Sequence, residues 1–153
     1  MFNAADYFEK VEKRLSSGCR TAVARQVEGP HFFPSTEEWR LIRLNLRIDW
    51  ATGEVLDVGD YWRRGEGRNE VGHAFHYQFM QADGSCIFRL DTENEEIPYD
   101  GVCHLHIGPR ETRFDDDHSQ LHGFGLRGIT LIEVLKLVHL HLNGRTMPWD
   151  NAQ

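Results

Sequence analysis

Residues 73–107 read HAFHYQFMQADGSCIFRLDTENEEIPYDGVCHLHI. Phe75, Tyr77 and Phe79 alternate with His76 and Gln78, the period of a strand with one buried face. Ala82-Asp83-Gly84 is a hairpin turn signal. Beyond it Cys86, Phe88 and Leu90 alternate with Arg89 and Asp91. A last strand, 102–107, sets Cys103, Leu105 and Ile107 against His104 and His106. The segment therefore predicts an antiparallel sheet whose polar face gathers histidines, and His73, in phase with Phe75, falls on the apolar face.

The pattern extends upstream. From 40 to 50, Ile42, Leu44, Leu46, Ile48 and Trp50 alternate with Leu41, Arg43, Asn45, Arg47 and Asp49. Ala51-Thr52-Gly53-Glu54 is a turn in which Gly53 can take positive φ. The return strand covers 55–62, with Leu56 and Val58 inward. A short first strand is expected at 21–27. Gly29-Pro30 and Pro34 then mark an irregular link. A short strand is expected near 111–114.

Helices bracket the sheet. Ala4, Tyr7, Phe8, Val11 and Leu15 recur at helical spacing after a capping Asn3, and Gly18 is the stop. Thr130 and Glu133 form a capping box for a second helix with Leu131, Val134, Leu135, Val138 and Leu142 as its core stripe. Asn143-Gly144 ends it. The expected fold is a single α+β domain over 1–153, with a central antiparallel sheet of five or so strands and the N- and C-terminal helices on one face.

Composition narrows the function classes. The net charge of −7 opposes nonspecific nucleic-acid binding, which depends on neutralising phosphates. Arginine greatly outnumbers lysine, which stands only at Lys10, Lys13 and Lys136, and guanidinium forks suit phosphate or carboxylate. Three cysteines, Cys19, Cys86 and Cys103, do not make a disulfide framework and fit a reducing, cytoplasmic setting. No signal peptide and no membrane-spanning stretch is expected.

If the strands share one inward face, the outward face collects Arg43, Arg47, His76, Gln78, Arg89, Asp91, His104 and His106. Three readings compete for this set. Histidines can act as base and acid in RNA cleavage while arginines hold the phosphate. Alternatively His104 and His106, with His76 or Asp91, bind a metal. In the third reading the residues are solvated side chains on an open sheet. Cys103 points inward, away from a nucleophilic role. His118 and His122 lie in a glycine-rich segment, and the aspartates at 115–117 read as a solvated run. His139 and His141 rim the core. Arg63, Arg64 and Arg68 beside Tyr61 and Trp62 read first as an ordinary hairpin end; the alternative is a basic, aromatic cluster of the kind that tracks single-stranded nucleic acid. Ile132, Leu137 and Leu140 lie off the helical core stripe; exposed, they would serve a partner or a homodimer through the C-terminal helix.

His76-Tyr77-Gln78, Ala82-Asp83-Gly84, Ile87-Phe88-Arg89, Asp91 and the histidine strand after them are similar to the TumE family of bacterial toxin–antitoxin proteins. The resemblance covers about residues 39–108. It implies a cytoplasmic toxin that acts on RNA and is held inactive by a helix-turn-helix antitoxin. Its site residues would be His76, Gln78, Arg89, Asp91, His104 and His106; Gln78 is expected to bind substrate, together with Arg43 and Arg47, which the shared face rather than the resemblance adds. No cofactor or metal is implied. The chain departs from the family after Asp91, where it reads Thr92-Glu93-Asn94-Glu95-Glu96. The alternative is a non-enzymatic protein- or nucleic-acid-binding module, or a histidine metal site, on the sheet face.

Overall fold

A computed structural model describes residues 4–18, 22–35, 39–64, 71–92, 103–108, 112–115 and 129–150. The element order is α1 (Ala4–Gly18), β1 (Ala22–Ser35), β2 (Trp39–Trp50), β3 (Val55–Arg64), β4 (Val71–Met80), β5 (Cys86–Thr92), β6 (Cys103–Ile107), β7 (Thr112–Asp115) and α2 (Leu131–Leu142). The strands form one antiparallel meander in sequence order, β1 to β7. This is the α+β fold expected: five principal strands, flanked by the two edge strands marked at 21–27 and 111–114.

One expectation is corrected. The Gly29-Pro30 and Pro34 segment is not a link, because β1 runs through it to Ser35. The pairing with β2 shifts register between Gln26 and Glu28 and again between Glu28 and His31. An edge strand with bulges tolerates proline, whose missing N–H faces away from the ladder.

Register fixes which residues share a face. Ile48 pairs with Leu56, Leu56 with Phe79, Phe79 with Phe88 and Phe88 with Ile107. The adjacent row runs Leu46, Val58, Tyr77, Leu90, Leu105. These rows are the floor of the core; Leu56, Tyr77, Phe79, Phe88, Leu90 and Leu105 are fully buried. Each such side chain contributes about 1.5–3 kcal/mol through removal from water.

Both helices cover this face. Tyr7 and Val11 of α1, and Leu131, Val134, Leu135, Leu137 and Val138 of α2, join the same buried cluster. At the start of α2, the Glu133 carboxylate accepts from the Thr130 N–H at 2.9 Å, the capping-box contact. Gly144, at φ 63°, follows the Asn143 cap. Asn3 lies outside the described residues, as does the side chain of Phe8.

The turns behave as their residues dictate. Gly53 sits at φ 99°, and a Cβ there would meet the Cβ of Ala82 at 2.7 Å. The β2–β3 turn therefore packs on the β4–β5 turn, which Gly84 closes at φ 85°.

Candidate functional site

The ladder also orders the outer face. One row runs Arg47, Asp57, Gln78, Arg89, His106. The next runs Asn45, Gly59, His76, Asp91, His104. Six of the eight expected residues thus form one block on β4, β5 and β6: His76, Gln78, Arg89, Asp91, His104 and His106.

Asp91 is the centre of the block. His76 and His104 are its register partners on either side. Arg89 Nε lies 2.9 Å from its Oδ2, and His106 Nε2 lies 3.8 Å from its Oδ1. The His104 and His106 rings stand 6.4 Å apart, as two-residue spacing on one strand requires.

Exposure divides the histidines. His76 is exposed, His106 is half-buried, and His104 is only 5% exposed. The outer face is therefore sheltered at β6 and open at His76 on β4. His76 and His106 stand on strands either side of β5, two strand spacings apart and offset by two residues along the strands, which together make about 12 Å. Arg89 and Asp91 lie between them on β5.

The two remaining arginines do not join this block. Arg47 lies three strands from Arg89, about 14 Å across the sheet. Its guanidinium faces Asp49 at 3.4 Å and Asp57 at 3.9 Å. Arg43 is placed by its backbone pairing with Tyr61; its side chain lies outside the described residues. Outside them too lie Cys19, Arg68, the acidic run at 93–96, Asp116, Asp117, His118 and His122, and the side chains of Arg63 and Arg64.

A second polar cluster lies on the inner face, and the sequence reading missed its centre. Asp60 is fully buried. It accepts from the Tyr7 hydroxyl at 2.6 Å, from the Tyr77 hydroxyl at 3.1 Å and from His73 Nε2. The His73 ring stacks on Trp62 at 3.6 Å, with planes 8° apart. His73 is thus a hydrogen-bonded core histidine, as its phase with Phe75 implied. Asp60 could have been found from parity alone, being in phase with Leu56 and Val58. Burial pushes both tyrosine hydroxyls well above their usual range, and the Asp60 charge adds to it.

Other expectations resolve plainly. Cys103 is buried and inward, and among the described residues neither Cys86 nor Cys103 forms a disulfide. His139 is buried and His141 half-buried at the core rim. Leu137 is 2% exposed, while Ile132 and Leu140 are partly buried against the core. These three do not form the exposed apolar patch that a helix-mediated dimer would need. Among the described residues, no three His, Cys, Asp or Glu side chains come together as a metal site. No described helix is long and apolar enough to cross a membrane.

Comparison with protein-family models, with characterised proteins and with solved structures finds no match. The geometry of the Asp91 block therefore carries the functional reading.

Proposed function

We propose that this protein is a metal-independent ribonuclease of the TumE toxin type, with its site on the outer face of β4, β5 and β6. The observation that carries this reading is the position of Asp91. It lies against Arg89 and His106 and is the register partner of His76 and His104.

RNA cleavage without a metal needs a base for the 2′-hydroxyl, an acid for the leaving 5′-oxygen and a cation on the phosphate. Imidazole serves as base and acid near neutral pH. His106 removes the 2′-hydroxyl proton. The 2′-oxygen attacks phosphorus, and the bond to the 5′-oxygen breaks. His76, entering as imidazolium on the opposite side of β5, protonates that oxygen. The products are a 2′,3′-cyclic phosphate and a 5′-hydroxyl end. Arg89, between the two histidines, holds the phosphate and stabilises its charge. Asp91 orients Arg89 and His106. His104, buried beside His106, is a positioning residue, and Gln78 contributes amide contacts at the rim.

The net charge of −7 leaves a local cationic site, rather than a basic surface, to select RNA. The family resemblance adds a helix-turn-helix antitoxin as the partner that holds the activity in check.

The test is cleavage of total RNA in EDTA by wild type, His106→Ala and His76→Ala. Each variant is expected to lose about 10²–10⁴-fold in rate while folding normally. Equal activity in all three preparations, or none in any once co-purifying protein is removed, overturns the assignment.

A further inference from the structure

Gly59 stands in the middle of β3, between Asn45 and His76 in the same row as Asp91 and His104. A glycine inside a central strand gives up side-chain packing, and such positions mark a close approach by another group. That group is Tyr61. A Cβ on Gly59 would sit 3.4 Å from both Cε2 and the hydroxyl oxygen of Tyr61, and 3.7 Å from Asn45 Oδ1. Tyr61 therefore leans back along its own strand, and the tip of its ring crosses Gly59. Its backbone partner on β2 is Arg43.

Two consequences follow. The ring is held low on the sheet and only half-buried, one strand from His76. It is also fixed from beneath. Asp60, the residue between Gly59 and Tyr61, points to the opposite face and is held there by Tyr7, Tyr77 and His73. The inner-face network thus pins the backbone that presents the outer-face aromatic.

We propose that Tyr61, seated over Gly59 with Asn45 at its side, is a stacking platform for the nucleobase next to the scissile phosphate. This inference rests on the ribonuclease reading of the Asp91 block. An aromatic ring beside a cationic phosphate site is what single-stranded nucleic acid requires: the cation takes the backbone and the ring takes a base without demanding a particular one. The platform lies on the β4 side of the site, so its base belongs to the nucleotide whose 5′-oxygen His76 protonates.

The experiment compares two single-stranded RNA oligonucleotides, one intact and one with a single abasic ribonucleotide on the leaving side of the cleaved bond. Tyr61→Leu is expected to raise KM about tenfold on intact RNA, with kcat within about twofold, and to leave the abasic substrate unaffected. Tyr61→Phe keeps the ring and is expected to keep the wild-type KM. Gly59→Val displaces the ring while leaving Tyr61 in place, and is expected to reproduce the Leu phenotype; it serves if Tyr61→Leu folds poorly. An unchanged KM for both Tyr61→Leu and Gly59→Val, with cleavage still abolished by His106→Ala, overturns the platform and leaves the ribonuclease standing. An equal loss on intact and abasic RNA also overturns it. Wild-type protein that neither cuts nor binds either oligonucleotide overturns both.

Discussion

The Tyr7 hydroxyl donates a 2.6 Å hydrogen bond to Oδ2 of Asp60, joining α1 to β3 across 53 positions of chain. The Tyr7 hydroxyl oxygen in turn accepts from the Leu131 N–H at 3.1 Å, a donor at the start of α2 left without a partner inside the helix. One phenol therefore ties both helices to the sheet. A buried carboxylate is costly unless its lone pairs are met, and here three side chains meet them.

Removing that phenol leaves two buried groups short of a partner. Tyr7→Phe is expected to destabilise the fold by about 1–3 kcal/mol, from the unsatisfied Leu131 N–H and the lost bond to Asp60. Urea unfolding of wild type, Tyr7→Phe, Asp60→Asn and the double variant gives the coupling directly. Additive effects would show that the contact contributes nothing of its own.

The same network sets the alkaline limit. Burial, then the Asp60 charge, raises the Tyr7 and Tyr77 hydroxyls above the usual tyrosine range. In the unfolded chain they ionise near pH 10. Their contribution to stability is therefore complete below about pH 10 and is lost as pH rises toward the folded values. Of the four tyrosines, two are expected to stay protonated until the protein unfolds. Tyrosinate absorbance followed alongside circular dichroism checks this, and smooth titration of all four in folded protein contradicts it.

At the acid end the group to watch is His139. Its imidazole is held below the usual histidine range, chiefly by burial and then by the Arg14 charge. A depressed histidine is neutral when folded and takes a proton when unfolded. Its contribution is complete above about pH 6.5 and falls away as pH drops below that. His139→Gln is expected to flatten the stability profile between about pH 5 and 7. Thermal melts across that range measure it; an unchanged slope would remove His139 from the acid response.

Arg89 separates catalysis from stability. Its contact with Asp91 is partly exposed, at 32% and 22% of the side chains, so solvent screens it. Arg89→Gln is expected to cost under about 1 kcal/mol in folding. The same change is expected to slow RNA cleavage by about 10²–10³-fold through loss of charge on the phosphate. Arg89→Lys keeps the charge without the fork and should recover part of the rate. A variant that unfolds but retains its specific activity would reverse both assignments.

Much of the fold was legible because strand parity is a local property. Phe75, Tyr77 and Phe79 alternate with His76 and Gln78 whatever packs on them, so the two faces could be drawn before any partner was known. The hairpin at Ala82-Asp83-Gly84 and the cap at Thr130-Glu133 are equally local. The proline-bearing course of β1 was not legible, because only its edge position makes Pro30 and Pro34 tolerable.

The sequence alone determined which residues lie on which side of the sheet, and thus that His76, Arg89, Asp91, His104 and His106 share a face. Tertiary pairing decided their neighbours. Register sets Asp91 between His76 and His104, leaves Arg47 three strands away against Asp49 and Asp57, and brings the tip of Tyr61 over Gly59. It also decided which groups meet Asp60, inward by parity: Tyr7 from α1, and His73 and Tyr77 from β4. Parity repeats every two residues along one strand and says nothing of the strand beside it. Which residues meet is a property of the ladder, fixed when distant segments bury a common face.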